Sequence, residues 1–397
     1  MININSCSVC GGDLQEVMRF PEYPLITSAS ATSAQVPLLP IVVGWCQHCA
    51  HVQLMQRPTT EQLDAIYLGD YTSVVKTGTF AGADRMAVEC RDFLDFAVAG
   101  ELAPGGTVME IGCFDGGFLS LFPGYKLLGC EPNPGGREAA ESIGIHVIPE
   151  YFSAAHFDPH SLDLIVMRHL IEHVPDPIAL LQECKGLLTN GGMVLIETPN
   201  IEHTLFNHVI GNFYHQHLHY FSIRSLPHLM ERAGYKVMAH GIKDFRQFMV
   251  IKPAEISIYP ERDPYADLVY AAFKGYFGYV QELRSQLQDW FRIHPERIAI
   301  YGASSTATGI VHLGGMPPEK IAFVVDGDPR KAGFAIPGTG VRVFPPDHLR
   351  DEPVDSVIIA SDFYAKEIEG LLRKNYGSVV KRVILCHPAW KVIELGC

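Results

Sequence analysis

The sequence predicts an α/β protein in which two parallel-sheet units follow a small metal-binding segment. Three observations lead to this prediction. Apolar stretches of strand length alternate with stretches of helical period across residues 107–198 and again across 297–385, which is typical of parallel sheets. A glycine-rich turn follows the first strand of each region. Two CxxC pairs lie near the start of the chain.

Length, composition and charge restrict the class of protein. The 397 residues suffice for two or three domains, and 47% hydrophobic with 19% charged residues is typical of a globular protein with a full core. The net charge of −13 argues against nucleic acid or an acidic membrane as a partner. No apolar stretch approaches the ~18 residues of a membrane span, and MININSCSVCGG contains neither a basic leader nor an apolar signal region. We therefore expect a cytoplasmic protein with a small-molecule substrate, as a monomer or small homo-oligomer.

The cysteines predict a structural zinc site. Ten cysteines without an export signal favour thiols and metal over disulfides. Two CxxC pairs supply four thiolates for a tetrahedral ion and leave no open position for catalysis: Cys7, Cys10, Cys46 and Cys49. His48 and His51 are alternative ligands. The intervening Phe20–Ser33 is too rich in Pro and Ser to predict regular structure.

The first parallel region begins with a binding turn between two strands, Thr107–Ile111 and Lys126–Glu131, with a short apolar helix after the glycines. Glu131 can accept hydrogen bonds from both hydroxyls of an adenosine ribose. Asp115 places a negative charge where a pyrophosphate would not fit, so a ligand with an ammonium and a sulfonium is favoured. This pattern indicates S-adenosylmethionine (SAM), against the alternative of an ordinary glycine turn. The expected cofactor residues are Glu110, Gly112, Asp115, Gly116, Gly117, Phe118, Glu131, Asn133, Tyr151, Phe152, Arg168 and His169.

The elements around this turn predict the order of a class I methyltransferase domain. Five parallel strands closed by an antiparallel hairpin have that order. A short helix followed by a loop with Tyr67 and Tyr71 is expected at Thr60–Tyr71, and a helix is expected at Met86–Val98. The later strands and helices are expected at Glu138–Ile143, Ile145–Ile148, Leu162–Met167, Ile178–Leu188, Gly192–Thr198 and Ser225–Ala233, with the hairpin at Tyr235–His240 and Gln247–Ile251.

A second Rossmann-like unit follows an amphipathic helix predicted at Asp267–Phe291. Its turn, Gly302 to Gly309, contains no acid and is rich in Ser and Thr, so phosphate is acceptable there. Asp326 ends its second strand. The alternative is a scaffold without a ligand. Its strands are expected at Arg297–Tyr301, Ile321–Val325, Ser356–Ala360 and Arg382–Leu385.

Histidines concentrate where substrate should lie. Pro199–Ile223 should cover the carboxyl ends of the first sheet, and it contains five histidines: His203, His208, His215, His217 and His219. If Tyr214–Phe221 is extended, the last three share one side. They could supply a general base or bind a transition metal, or simply pack. A second cluster, Arg168, His169, Glu172 and His173, follows the fourth strand.

Several segments, taken in order, resemble the deoxysugar C-methyltransferases, which act on nucleotide-linked 4-keto sugars. They are the CxxC pairs, EIGCFDGGFL, RHLIEHV, YHQHLHYFS, and YGASSTATG with VVDGDPRKAGFAIPG. The resemblance covers essentially the whole chain. It implies a class I (Rossmann-like) SAM domain flanked by a small N-terminal zinc domain and a C-terminal Rossmann-like domain, with the nucleotide sugar between the last two. The expected boundaries are a zinc domain at 1–65, a methyltransferase domain at 66–260, a bridging helix at 261–294 and a C-terminal domain at 295–397.

The resemblance also implies site residues. The family's base falls on His217, and the other catalytic candidates are His173, His169, Tyr71 and Gln216. The substrate candidates are Tyr214, His215, His219, Tyr220, Gly302, Ser304, Ser305, Thr306 and Asp326. Gln216, His219 and Thr306 replace the family's Glu, Ser and Lys, which removes a proton relay beside the base and a phosphate or carbonyl contact.

The expected reaction is methylation of the carbon next to a ketone, with His217 as general base and S-adenosylhomocysteine as product. Transfer to oxygen or nitrogen of a sugar or other small metabolite is the alternative within the class. A metal-dependent enzyme using the three clustered histidines and a non-enzymatic zinc and nucleotide-binding scaffold are alternatives of other classes.

Overall fold

The computed structural model describes residues 1–29, 35–68, 83–98, 100–102, 104–255, 262–361 and 364–395. The chain forms two compact units. Unit 1 contains Met1–Glu16, Val43–Glu202 and His217–Val269, and unit 2 contains Val17–Val42, His203–Gln216 and Tyr270–Cys397. The predicted four-part division is a different partition, and its boundaries stay a prediction.

From residue 107 onward the strands follow the predicted order. The described strands are β1 (Ile2–Asn3), β2 (Leu14–Pro24), β3 (Leu38–Cys46), β4 (Val52–Leu54), β5 (Gln56–Arg57), β6 (Thr107–Ile111), β7 (Lys126–Cys130), β8 (His146–Ile148), β9 (Leu162–Arg168), β10 (Leu188–Pro199), β11 (His219–Tyr220), β12 (Tyr235–Lys243), β13 (Arg246–Pro253), β14 (Ile298–Tyr301), β15 (Ile321–Val325), β16 (Val343–Phe344), β17 (Ser356–Ile359), β18 (Arg382–Leu385) and β19 (Lys391–Glu394).

The described helices are α1 (Thr60–Tyr67), α2 (Ala83–Val98), α3 (Pro134–Ser142), α4 (Pro177–Leu187), α5 (Ile201–Phe206), α6 (Ser225–Arg232), α7 (Tyr265–Ile293), α8 (Ser305–His312), α9 (His348–Asp351) and α10 (Ala365–Tyr376). Three of them, α1, α3 and α4, begin after a side-chain cap. The helix predicted from Glu138 starts four residues earlier, because Asn133 caps it and Pro134 suits the first helical position.

Unit 1 contains a seven-stranded sheet in the order β12-β13-β10-β9-β6-β7-β8. The pairs β6–β7, β6–β9, β7–β8 and β9–β10 are parallel, and β10–β13 and β13–β12 are antiparallel. This is the class I order, so the predicted fold of the domain is confirmed. The central strands are apolar on both faces because helices cover both sides. Consecutive residues of β9, Leu164 and Ile165, point to opposite faces and belong to different core clusters.

Unit 2 contains a six-stranded sheet in the order β16-β15-β14-β17-β18-β19. Its pairs are parallel except for the antiparallel edge pair β18–β19. The predicted second Rossmann-like unit is therefore present. Its central strand β14 is buried over its whole length.

Two predictions about local structure are wrong. Phe20–Pro24 lies in β2 rather than in irregular chain, because buried Met18 and Phe20 alternate with exposed residues, and an edge strand tolerates proline. The apolar helix expected after the first glycine turn is only a 3-10 turn, Leu119–Leu121. The positive φ of Gly116 before it and Pro123 after it limit its length.

Candidate active site

The four predicted metal-binding cysteines converge on one point. Cys7 Sγ lies 3.6 Å from Cys49 Sγ, and Cys10 Sγ lies 3.4 Å from Cys46 Sγ. All four sulfur atoms lie within 4.8 Å of one another. Sulfurs around a tetrahedral zinc with bonds of about 2.3 Å would lie about 3.8 Å apart, so the cluster is compatible with one structural ion. The alternative ligand His51 pairs with another histidine instead.

The cofactor turn depends on two glycines with left-handed backbone angles. Gly112 has φ 73° and Gly116 has φ 74°. A Cβ at Gly116 would lie 2.2 Å from Ile145 Cδ1, so close packing as well as turn geometry requires glycine there. Asp115 Oδ1 accepts a hydrogen bond from Gly117 N at 2.9 Å. Asp115, whose negative charge disfavours a phosphate ligand, therefore also closes the turn through this hydrogen bond.

Glu131 follows β7 and is held by two backbone donors. Its Oε2 accepts from Phe114 N at 3.0 Å, and its Oε1 accepts from Asn133 N at 2.8 Å. These bonds fix the carboxylate and leave lone pairs for the two hydroxyls of a ribose. Asn133 Oδ1 accepts from Gly135 N at 3.0 Å and caps α3. The geometry therefore fits the adenosine part of SAM.

Glu110, near the end of β6, supplies a second fit to this cofactor. It is 3% exposed, and among the described residues its Oε2 has no hydrogen-bond partner. Burial raises the pKa of this carboxyl to about 8, and Arg168 opposes the shift only in part. A buried carboxyl without a partner is costly unless a cation or donor compensates it. The cationic amino-acid part of SAM would supply that charge.

The aromatic candidates around the turn make contacts within the chain. The guanidinium of Arg168 lies 4.5 Å from the ring centroid of Phe118. Tyr151 Oη donates to Asp64 Oδ1 at 2.6 Å. Phe152 stacks on a neighbouring phenylalanine, with ring centroids 6.0 Å apart. Contact of Phe118, Tyr151 and Phe152 with the cofactor stays a prediction.

A buried ion network fixes Arg168 at the end of β9. Glu197 Oε2 lies 2.5 Å from Arg168 Nε, and Glu197 Oε1 lies 2.8 Å from Arg246 Nη1. Arg246 also pairs with Glu89 on α2, at 2.5 Å. Burial opposes the charge on Arg168, but the neighbouring Glu197 and Glu110 outweigh it and raise its pKa. Glu197, Arg246 and Glu89 were not among the predicted site residues, because their pairing joins distant parts of the chain.

His169 begins the chain reversal after β9 with a strained backbone. Its φ is 48°, a left-handed value that costs a non-glycine residue about 1–2 kcal/mol. Its N–H donates to Glu197 O at 2.8 Å. Strain of this kind persists at functional sites, where surrounding structure maintains it.

Glu172, His173 and His217 form a compact cluster of titratable side chains in unit 1. Their ligand atoms lie within 4.8 Å of one another, and the rings of His173 and His217 lie 4.8 Å apart between centroids at 68°. Tyr67 Oη lies 3.1 Å from His173 Nδ1. Tyr67 O accepts from Asn133 Nδ2 at 2.8 Å, which links this cluster to the cofactor turn. Tyr67 was not among the predicted site residues, and predicted Tyr71 lies outside the described residues.

The electrostatics of the cluster place an ionised carboxylate beside a neutral imidazole. Burial, followed by His173, lowers the pKa of His217 well below 6.5. Burial alone would raise the pKa of Glu172, but the His169 ring, with Nδ1 3.5 Å from Oε1, and the charge of His173 outweigh it and lower the value to about 2. Thr198 Oγ1 donates to Glu172 Oε2 at 2.9 Å and orients that carboxylate. A neutral His217 can accept a proton, and ionised Glu172 can stabilise the resulting cation.

The segment Tyr214–Phe221 is not extended as predicted. A turn at His215–Gln216 interrupts it, and only His219–Tyr220 forms a strand. The predicted shared face of three histidines is therefore absent from this segment. Among the described residues, the His/Cys/Asp/Glu group that includes His217 contains neither of the other two.

His215 and His219 use their ring nitrogens within the chain. His215 Nδ1 and Nε2 each lie 3.3 Å from a carbonyl oxygen, of Pro24 and Pro40. His219 Nε2 lies 3.0 Å from Val174 O. These contacts argue against the predicted binding of substrate by either histidine. Substrate or catalytic roles of half-buried Tyr214 and buried Gln216 and Tyr220 stay predictions.

The glycine turn of unit 2 is built like the cofactor turn. Asp326 Oδ2 accepts from Ala303 N at 2.7 Å, as Glu131 does from Phe114 N. Lys331 Nζ also lies 2.9 Å from Asp326 Oδ2. An acid placed after the second strand thus closes each turn.

Backbone atoms of neighbouring segments pack closely against part of this second glycine turn. A Cβ at Gly302 would lie 2.7 Å from Ala360 O, which also accepts from Ser304 Oγ at 2.8 Å. Thr306 is buried, and a Cβ at Gly211 would lie 2.6 Å from Thr306 N. Binding of substrate by Gly302, Ser304, Ser305, Thr306 and Asp326 stays a prediction.

Comparison with known proteins agrees with this architecture. A methyltransferase domain family matches residues 83–240, and a family of C-methyltransferase C-terminal domains matches residues 265–383. The chain is 24% identical to the C-methyltransferase NovU of Streptomyces niveus over 92% of its own length and 91% of that protein.

Other similarities are more local. A ubiquinone biosynthesis O-methyltransferase of Neisseria meningitidis serogroup C is 38% identical over 26% of this chain and 35% of that protein. The structure of a Burkholderia thailandensis 1,6-didemethyltoxoflavin-N1-methyltransferase with bound S-adenosylhomocysteine is 14% identical, covers 52% of this chain and 96% of that one, and has a TM-score of 0.39.

The strand order of unit 1, the cofactor turn and the match to the methyltransferase domain family together define a class I SAM-dependent methyltransferase. The C-terminal match and the full-length similarity to NovU confirm the resemblance to the C-methyltransferase family. The hypothesis of a non-enzymatic scaffold is therefore wrong. Among the described residues, no helix combines the length and apolarity that crossing a membrane requires.

Proposed function

We propose that the protein methylates the carbon next to the ketone of a nucleotide-linked keto-deoxysugar, with His217 as general base. The observation that carries the proposal is the position of buried His217 beside His173 and Glu172 beyond the end of β9, where burial lowers the pKa of His217 and so favours the neutral ring. The similarity to NovU over nearly the full length supports carbon as the acceptor atom.

The proposed reaction needs one proton transfer and one methyl transfer. His217 removes the proton of the carbon, and the C–H electrons form an enolate with the ketone oxygen. SAM supplies an electrophilic methyl group, whose bond to sulfur breaks as the new C–C bond forms. Glu172 stabilises the imidazolium, and the contact between His173 and Tyr67 offers a route for the proton to leave. Base catalysis of this kind contributes about 10²–10⁴-fold.

The acceptor atom is tested with SAM labelled at the methyl carbon and a nucleoside-diphosphate 4-keto-6-deoxyhexose as probe. NMR of the product should show the label bonded to a ring carbon. The similarity of the cofactor domain to ubiquinone O-methyltransferases favours oxygen as the second candidate. A label on oxygen or nitrogen would contradict the proposal and support the alternative.

The base is tested by His217→Asn. We expect the rate of methyl transfer to fall about 10²–10⁴-fold while SAM affinity by calorimetry stays the same. His228→Asn is the matched control, because His228 is also buried in unit 1 but pairs with Asp263, at 2.9 Å. Near-normal turnover of His217→Asn would exclude His217 as the base.

We further propose that the four clustered thiolates hold one structural Zn²⁺, as their spacing suggests. The same analysis tests the metal-enzyme alternative, since Glu172, His173 and His217 also form a group that could hold an ion. One zinc per chain that is released only by thiol modification supports the proposal. If a second equivalent of zinc is bound and is lost in His217→Asn, His217 is a metal ligand and not the base.

A further inference from the structure

A buried pair of histidines joins the cysteine-rich strands to the segment that carries His217. His51 Nε2 lies 3.0 Å from His219 Nδ1. Both rings are at most 1% exposed, and Phe221 packs on both, with centroid distances of 5.1 Å and 5.7 Å. Water does not compete for this hydrogen bond, so the contact is directional.

The carbonyl group of Val174 determines which ring nitrogens of the histidine pair carry protons. His219 Nε2 lies 3.0 Å from Val174 O, which can only accept, so Nε2 carries a proton. In the neutral ring Nδ1 is then an acceptor, and His51 Nε2 donates to it. His51 Nδ1 is left bare, and among the described residues it has no hydrogen-bond partner. One arrangement of protons satisfies the contact between the two rings.

The pair lies within a short seam between two parts of unit 1. β11 contains only two residues and pairs antiparallel with β4, with His219 opposite Gln53 and Tyr220 opposite Val52. Two hydrogen bonds extend the seam on either side: Leu54 N to Leu218 O at 3.0 Å, and Ser222 Oγ to Ala50 O at 3.4 Å. A strand this short specifies its register weakly by backbone pairing alone.

The same seam borders the catalytic cluster. Leu218 N, between His217 and His219, donates to Glu172 O at 2.9 Å. A shift of β11 along β4 would therefore displace His217 relative to Glu172. Displacement of about 1 Å can cost an enzyme 10²-fold in rate.

We propose that His51 and His219 are positioning residues, whose hydrogen bond fixes β11 on β4 and thereby holds the His217 imidazole against His173 and Glu172. The catalytic consequence rests on the proposed role of His217. The effect of the histidine pair on the position of His217 does not rest on that role. The two effects are therefore measured separately.

The position is measured by NMR of the histidine imidazoles and by amide hydrogen exchange, using the full chain without acceptor. His219→Phe keeps a ring but removes both hydrogen bonds, and His219→Asn keeps an acceptor for His51. Tyr235→Phe is the control, since it removes one buried hydrogen bond elsewhere in unit 1, from Tyr235 Oη to Leu181 O at 2.7 Å. We expect His219→Phe to shift or split the His217 signal and to speed exchange at Leu218 about tenfold or more.

His219→Asn should restore the single His217 signal, and Tyr235→Phe should leave it unchanged. An unchanged His217 signal and unchanged Leu218 exchange in His219→Phe would overturn the proposal. If His219→Phe does not fold, the His217 signal and the Leu218 exchange rate are measured in His51→Phe and His219→Asn instead. A wild-type His217 signal in His51→Phe would then overturn the proposal.

The catalytic consequence is measured as methyl transfer to the same nucleoside-diphosphate 4-keto-6-deoxyhexose. We expect His219→Phe to lower kcat about tenfold or more with KM for SAM within about twofold, and to add no further loss in a His217→Asn background. Loss of kcat that adds fully to that of His217→Asn would contradict positioning through His217. Normal turnover of His217→Asn would reject the proposed base and leave the NMR result to decide the positional inference.

Discussion

At the scale of single residues, Glu110 is a buried carboxyl whose charge we expect to depend on the cofactor. Its ordinary pKa of 4.5 is raised to about 8 by burial. The folded protein therefore retains a proton that the unfolded chain releases, and its stability without ligand should fall as pH rises from about 4.5 through 8. A bound cation would reverse this shift, because it favours the ionised carboxylate.

This predicts proton release on binding. Calorimetry of SAM binding at pH 7 in buffers of different ionisation enthalpy should show release of up to about one proton, and affinity should rise between pH 6 and 8. Glu110→Gln should bind more weakly and lose the pH dependence. Glu202→Gln is the control, since Glu202 is also buried with a raised pKa but bonds Tyr265 and Ile223 N. Equal proton release in Glu110→Gln would refute the assignment.

Single residues also show what sequence can and cannot predict here. Glu131 and the four cysteines belong to patterns of fixed spacing, and Asp115 bonds a residue two positions away, so the place of each in the fold could be predicted. Tyr67 and His51 act through partners 106 and 168 positions away. Only the order of strands brings such partners together, and no local pattern records it.

At the scale of elements, the cofactor turn and its neighbours determine how tightly β6 and α3 approach. Gly116 and Gly124 both have left-handed φ values, 74° and 82°, but a Cβ at Gly124 would meet nothing within 4 Å. The two positions therefore separate the cost of the backbone angle from the cost of a steric clash.

We predict that Gly124→Ala lowers the free energy of unfolding by about 1 kcal/mol, the cost of the backbone angle. Gly116→Ala should lose a further 1–3 kcal/mol or so, because the new methyl group meets Ile145 Cδ1 at 2.2 Å. It should also weaken SAM binding. Urea unfolding of the two variants and of the wild type measures the difference. Equal losses would show that Ile145 moves aside without cost.

Elements were predicted best where periodicity is strong, as in the parallel strands. They were predicted worst where a few contacts with distant residues determine the backbone conformation. The turn at His215–Gln216 replaced an expected strand, because His215 finds its partners at Pro24 O and Pro40 O and not along its own segment.

At the scale of the whole molecule, the cysteine cluster should decide whether unit 1 is folded. We predict that Cys46→Ser lowers zinc content from one equivalent toward zero and lowers Tm strongly, because metal binding and folding are coupled in such sites. The rate of methyl transfer should also fall, since β11 pairs with β4 next to the segment with His217. Cys184→Ala, a buried cysteine outside the cluster, is the control and should keep full zinc content. Metal analysis and thermal unfolding provide the measurement. Full zinc content in Cys46→Ser would contradict the proposed site.

The alternation of units along the chain has a consequence for inheritance. Three segments of unit 1 alternate with three of unit 2, so the chain passes between the units five times. A single recombination between two related genes cannot exchange one intact unit for another. A gene fragment covering residues 83–240 would encode β11 without its partner β4. New specificities should therefore arise by point substitution rather than by exchange of whole units.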